Sequence, residues 1–301
     1  MTHQTSLSNR AWAELILLGT IWGGSFLAIR IALDEVPVLT SVFHRVFWAA
    51  LALWLFVLLR GFPLPRGARI WGVFLVMGAL NNVIPFGLMA WGQLHIETGL
   101  TSIFNAATAI WGVLVAAIFF ADEKLGPLKL IGVSLGFLGV ATAIGINNVV
   151  DFDIRSLAQL AVLAGTLSYA LASVWARKMM SGLAPPVAAA GMLSGATLWM
   201  IPLVLIVDGP PSLTLQTDTM LAIGYYALIA TGFAYLLCYR VLAMAGAGNL
   251  MLVTLLIPPV SITLGALVRD EVLSPNAFAG FALLALGLAV LDGRLFRRRA
   301  G

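Results

Sequence analysis

The chain has 301 residues and a formal net charge of +4; 61% of it is hydrophobic, only 10% is charged, and the mean hydropathy is +1.00. Soluble domains carry roughly a quarter charged residues, so this composition excludes a water-soluble protein, and the high hydrophobicity excludes a disordered one. What remains is a polytopic membrane protein whose constant partner is the lipid bilayer.

A helix needs about 20 apolar residues to cross the hydrocarbon core. Charges, prolines and glycine turns cut the chain into ten such stretches, near 11–33, 38–60, 69–93, 97–120, 126–146, 155–178, 184–207, 218–243, 246–268 and 274–294. The first ten residues are polar and lack the apolar core and cleavage site of a signal peptide, so the first stretch is expected to remain as a span. No segment alternates with period two, which argues against a β-barrel. The expected fold class is all-α integral membrane, with ten transmembrane helices and short connections. The single Cys238 rules out intramolecular disulfides and Cys-rich metal sites. Nucleic acid is not an expected partner: the basic residues form no single face, and Arg297 to Arg299 follow directly on an apolar span, as a positive-inside anchor does.

Ten spans sort the connections onto two sides, and the cations divide unevenly. Arg10, Arg60, Arg66, Arg69, Lys124, Lys129, Arg177, Lys178, Arg240, Arg294 and Arg297 to Arg299 fall on the side of the N-terminus, leaving Arg30, Arg45, Arg155 and Arg269 for the other. The bias places both termini in the cytoplasm.

The stretch Asp122-Glu123-Lys-Leu125-Gly-Pro127 returns 148 residues later as Asp270-Glu271-Val-Leu273-Ser-Pro275. At the same shift Gly132 meets Gly280, Leu135 meets Leu283, Leu138-Gly139 meets Leu286-Gly287, Ala141 meets Ala289 and Gly145 meets Gly293. Apolar helices match by chance at some positions, but not with a polar Asp-Glu pair and a proline in register. Gly19-Thr20 and Gly165-Thr166 form a weaker echo. The reading is a duplicated five-helix unit, 11–146 and 155–294. Because five is odd, the second copy crosses in the opposite sense, the inverted-repeat arrangement of transporters.

These residues resemble a known family. The start Gly19-Thr-Ile-Trp22-Gly23-Gly24-Ser25, the duplicated Asp-Glu-x-Leu-x-Pro motif and ten short-looped helices look like the drug/metabolite transporter superfamily, in its EamA branch, and within that like the YddG-type amino-acid exporters. The resemblance implies a bacterial inner-membrane protein whose spans one, three, four, six, eight and nine line a central cavity, with five and ten outside it. It also implies export of amino acids by alternating access. The oligomeric state is open, and a monomer fits. One departure stands out: the ninth span carries Pro258-Pro259 where the fourth has Ile110-Trp111.

Ionisable residues deep in a span are the usual functional groups of such proteins, and the middles of these spans lack them. Glu14 lies near a span end, where it can snorkel to water or serve as a protonatable coupling residue. Glu97 and His95 read as solvated turn residues. His44-Arg45 fits an outer gate as well as contact with headgroups. The midplane instead offers neutral groups: Asn81 and Asn82 with Pro85 one turn on, whose missing N–H frees a backbone carbonyl; Asn105, Thr108 and Trp111 on one face of span four; Trp22, Ser25 and Phe26 on span one; Tyr235 and Tyr239 on span eight; and Thr254 and Pro258 on span nine. Tyr169 and Trp175 in span six complete the candidate substrate-binding set. No nucleophile–base pair or metal cluster is visible, so neither enzyme activity nor a cofactor is expected. With no fixed cation at the midplane, a zwitterion suits the site better than a phosphate, its ammonium against Trp22, Trp111 or Tyr235. The expected cargo is therefore amino acids, neutral, bulky and aromatic ones included.

Overall fold

The computed structural model describes residues 8–123, 125–145, 154–212, 214–250 and 252–292. Among them there is no β-strand. Ten apolar helices follow one another: α1 (Asn9–Ala32), α2 (Val38–Leu59), α3 (Ala68–Gly92), α4 (Thr98–Phe119), α5 (Pro127–Ile144), α6 (Ile154–Met179), α7 (Pro185–Val207), α8 (Thr217–Gly246), α9 (Val253–Arg269) and α10 (Pro275–Asp292). The first eight are long and apolar enough to cross a membrane; α9 and α10 are apolar but shorter. Pro127, Pro185 and Pro275 open α5, α7 and α10, where a missing N–H costs nothing. Large apolar side chains such as Leu55, Ile118, Ile206, Leu221 and Leu267 are exposed on the outside, as hydrocarbon solvent permits.

The boundaries sit within a few residues of those expected, except in the ninth stretch. Gly246, at φ 78°, turns the chain; it stays helical to Leu250, and α9 proper begins only at Val253. Helix α4 is also in two pieces, Thr98–Asn105 and Thr108–Phe119, joined at Ala106–Ala107 without any proline. Lys124, Arg294, Arg297 to Arg299, Gly293 and the 146–153 connection lie outside the described residues.

Polar contacts gather at two opposite ends of the bundle. At one end Asp34 pairs with Arg30 (2.6 Å) and Arg269 (2.5 Å), Glu97 with Arg155 (2.7 Å), and the Glu271 carboxylate accepts from Thr98. At the other, Glu14 pairs with Arg10 (3.2 Å) and Arg240 (2.6 Å), and Arg177 with Asp122 (2.6 Å) and Glu123 (3.6 Å). These are called the Asp34 end and the Glu14 end below. Glu97 is thus not a free turn residue. It ties the start of α4 to the start of α6, while His95 lies edge-on to Trp91 at 5.0 Å.

Helices α5 and α10, the two carriers of the repeated glycines, meet backbone to backbone. A Cβ on Gly139 would lie 2.7 Å from the Gly280 oxygen, and one on Gly280 would lie 2.5 Å from the Gly139 oxygen. A Cβ on Gly132 would lie 2.8 Å from the Gly287 oxygen, and one on Gly287 would lie 2.7 Å from the Gly132 oxygen. Membrane helices associate through such small-residue stripes, because van der Waals contact replaces the hydrophobic effect there. The contact is reciprocal: Gly132 and Gly280, and Gly139 and Gly287, stand 148 residues apart, and each meets the partner of the other. Gly139→Leu should therefore lower stability by at least the ~1–3 kcal/mol of core overpacking, read as an earlier thermal transition in detergent, while Gly87→Leu, which would meet nothing within 4 Å, should not.

Helices α3 and α8 each contain a π-helical stretch, Ala79–Val83 and Tyr225–Phe233. In α3 the cause is Pro85, which cannot continue the hydrogen-bond ladder. The Leu80 carbonyl five residues earlier instead accepts from Ser168 Oγ of α6 at 2.7 Å. In α8 the Ala230 carbonyl accepts from Trp22 Nε1 at 3.1 Å. Both helix pairs are thus pinned by a side chain from the neighbour that satisfies a π-turn carbonyl.

Candidate substrate cavity

A cavity of about 460 Å³ occupies the middle of the bundle. Its walls come from α1, α3, α4, α6, α8 and α9, with one further side chain from α2. Trp22, Ser25, Phe26, Asn81, Asn105, Thr108, Tyr169, Tyr235 and Thr254 line it. Several polar groups there are already engaged locally. Ser25 Oγ donates to the Trp22 carbonyl (2.7 Å), Thr108 Oγ1 to the Asn105 carbonyl (2.7 Å) and Asn81 Nδ2 to Tyr235 Oη (3.2 Å). Trp22 offers only its ring, because its N–H is committed to Ala230.

The other candidates stand elsewhere. Asn82 is fully buried beside Tyr235; one residue round the π-turn from Asn81, it points into the packing instead of the lumen. Pro85 is buried in α3, where it shapes the backbone. Trp111 packs edge-on against Phe137 of α5 at 5.0 Å, behind the cavity wall. Trp175 donates to the Val73 carbonyl at 3.2 Å and so joins α6 to α3. Tyr239 packs against the cluster formed by α2, α3 and α7, and Pro258 is buried within α9. Trp111 and Asn82 therefore stand off the cavity lining in this structure, because of the way their helices face.

Sequence reasoning leaves Arg45 between an outer gate and headgroup contact and misses Phe86, Gln93, Ser173, Thr231 and Cys238; all six line the cavity. Arg45 overturns the premise that the interior holds no fixed cation. Its Nε donates to Thr231 Oγ1 at 2.9 Å, and its guanidinium carbon lies 3.8 Å from the centre of the Phe86 ring. Gln93 Nε2 donates to the Phe26 carbonyl at 2.8 Å.

At the Asp34 end the wall is tied shut. Glu271 Oε1 accepts from Thr98 N (3.0 Å), and Oε2 accepts from Thr98 Oγ1 (2.6 Å) and Gly99 N (3.4 Å), so a carboxylate from the α9–α10 turn caps α4. Ser261 Oγ donates to the Thr98 carbonyl (3.1 Å). Toward the Glu14 end, where the lining reaches Leu250 and Ser173, the second piece of α4 leaves α9 and packs on α5 and α6. Among the described residues no hydrogen bond or ion pair joins α4 to α9 there.

Partial burial pushes the Asp34 carboxyl up, but the hydrogen bonds and charges of Arg269 and Arg30 outweigh it and hold its pKa below the ordinary carboxylate value. The depressed pKa means that the α1–α9 tie is complete above the unfolded Asp pKa and is lost only as pH falls through the lower folded value. Asp34 and Arg269 line a second groove at this end, together with Glu35 and Asp218. Labelling of Cys238 from the Asp34 end, corrected for the thiolate fraction at each pH, should therefore stay constant from pH 8 to pH 5, and Asp34→Asn should remove the Asp34 share of the closure at neutral pH, read as faster labelling.

Residues 11–145 and 156–291 each match the EamA-like transporter family, together covering most of the chain. The chain belongs to this family. It is similar to the uncharacterized transporter YoaV of Bacillus subtilis (22% identity over 95% of this chain and 97% of that protein) and to a probable amino-acid metabolite efflux pump of Escherichia coli (26%, 94% and 95%). A third relative, a probable terminal-alkyne amino-acid exporter of Streptantibioticus cattleyicolor, is 27% identical over 97% of this chain and 96% of its own. A solved crystal structure shares the fold, with a TM-score of 0.68 at 18% identity, covering 96% of this chain and 99% of that one. The EamA-like protein is accordingly a multi-pass membrane transporter, and the names of its relatives point to transport rather than to enzymatic chemistry.

Proposed function

We propose that this EamA-like protein exports amino acids and related small metabolites, neutral and bulky or aromatic ones included, by alternating access between two inverted five-helix repeats in a bacterial inner membrane, with both termini cytoplasmic. The observation that carries the reading is the central cavity, walled by aromatic side chains, tied shut at the Asp34 end and, among the described residues, without an α4–α9 hydrogen bond or ion pair at the other. The reciprocal α5–α10 seam and the repeated Asp-Glu turns support the inverted repeat. The two turns differ in what they hold: Glu271 caps α4, whereas Glu123 pairs with Lys129 (3.1 Å) and Arg177. Two copies of one motif in two environments is what a single snapshot of an alternating pair should display.

Transport down the cargo gradient is the simpler energetics. Glu14, the acid that a proton-coupled mechanism would use, is held between two guanidinium groups. Counterflow in proteoliposomes across a panel of amino acids, with and without a pH gradient, tests both parts. Saturable counterflow independent of the gradient is expected, and Glu14→Gln should leave it within about twofold. Uphill accumulation driven by pH and lost in Glu14→Gln would establish the proton-coupled alternative.

A further inference from the structure

A cation taken out of water is costly unless paired, and six other arginines toward the helix ends obey this: Arg10, Arg30, Arg155, Arg177, Arg240 and Arg269 each meet a carboxylate. Arg45 is different. It lies seven residues inside α2 and is the one charged residue among those lining the cavity. No Asp or Glu among the described residues forms an ion pair with it. Its Nε is fixed by Thr231, whose own hydroxyl donates to the Tyr226 carbonyl at 2.8 Å, and its plane rests over Phe86. The two terminal nitrogens make no hydrogen bond among the described residues. A guanidinium held by its inner nitrogen and by ring contact, with its outer edge unused, presents the fork that a carboxylate fills with two parallel bonds.

We propose that Arg45 is the cargo anchor: it takes the carboxylate of an organic acid whose apolar body lies against Trp22, Phe26 and Tyr169, while the amino group of an amino acid meets no counter-charge and is not required. This rests on the reading of the cavity as the cargo site and narrows its chemistry. The cavity is a cationic, aromatic chamber without an acid, so it selects a carboxylate and tolerates acylation of the amine.

The probes are phenylalanine, N-acetylphenylalanine and phenylalaninamide, titrated calorimetrically into the purified full-length protein in detergent, with phenylalanine counterflow measured in parallel. The two carboxylates should bind within about threefold of each other and the amide at least tenfold more weakly, tenfold being 1.4 kcal/mol. Arg45→Gln should weaken both carboxylates at least tenfold and leave the amide unchanged, and Arg45→Lys should recover part of the loss. An amide that binds as tightly as phenylalanine, or an N-acetyl derivative that does not bind when phenylalanine does, would overturn the anchor on the unaltered protein, whatever the variants do. Wild-type counterflow in Arg45→Gln would sink the anchor and leave amino-acid export standing. Absence of both binding and counterflow for all three probes would remove the cargo-site reading and the anchor with it.

Discussion

Glu271→Gln should let the cavity open at the Asp34 end. In the structure its carboxylate accepts three hydrogen bonds from the first turn of α4, two of them from backbone N–H groups. Charge-assisted bonds of this kind are worth about 1.5–3 kcal/mol each. The amide keeps the shape but loses the charge and one acceptor, and a loss of about 2 kcal/mol in one state alone changes its population more than tenfold. Cys238 lines the cavity and is the one cysteine in the sequence, so the chain carries its own reporter. A membrane-impermeant maleimide applied from the Asp34 side should label Cys238 at least tenfold faster in the variant than in the parent. Equal rates would mean that closure does not depend on this cap.

A covalent tie at the same place should do the reverse. A Cβ on Gly99 would lie 3.2 Å from Ile262 Cα and 3.0 Å from Ile262 Cγ1, close enough for a disulfide between α4 and α9. In a Cys238→Ser background, Gly99→Cys with Ile262→Cys should lose counterflow by at least tenfold on oxidation and regain it on reduction. Undiminished flux in the oxidised protein would show a conduit that does not need to part these helices.

The sequence told a great deal about what lies along the membrane normal and little about what lies around each helix axis. The ends of the helices are readable because charges, prolines and the Asp-Glu turns mark the ends of apolar runs. Facing was not readable, because lipid and protein interior are equally apolar and a membrane helix has no wet side to betray its rotation. In a continuous helix Trp111 shares a face with Asn105 and Thr108; across the break at Ala106–Ala107 Thr108 stays on the lining, but one turn further the Trp111 ring meets Phe137 instead. Asn81 and Asn82 are equivalent in the sequence; the π-turn before Pro85 separates them, one to the lumen and one to the packing. Arg45 reads from the sequence as an outer gate or a headgroup contact because only seven positions precede it in α2. Nothing in the linear pattern shows that its side chain turns inward to Thr231.

The glycine seam between α5 and α10 also fixes what the molecule can do mechanically. Where backbone rests on backbone there are no intervening rotamers to change, and close-packed interiors do not deform by degrees. The pair therefore behaves as one piece. If α4 parts from α9 at one end of the bundle, α5 and α10 should move as one body or stay still together, and the displacement should fall on helices packed through side chains that can change rotamer.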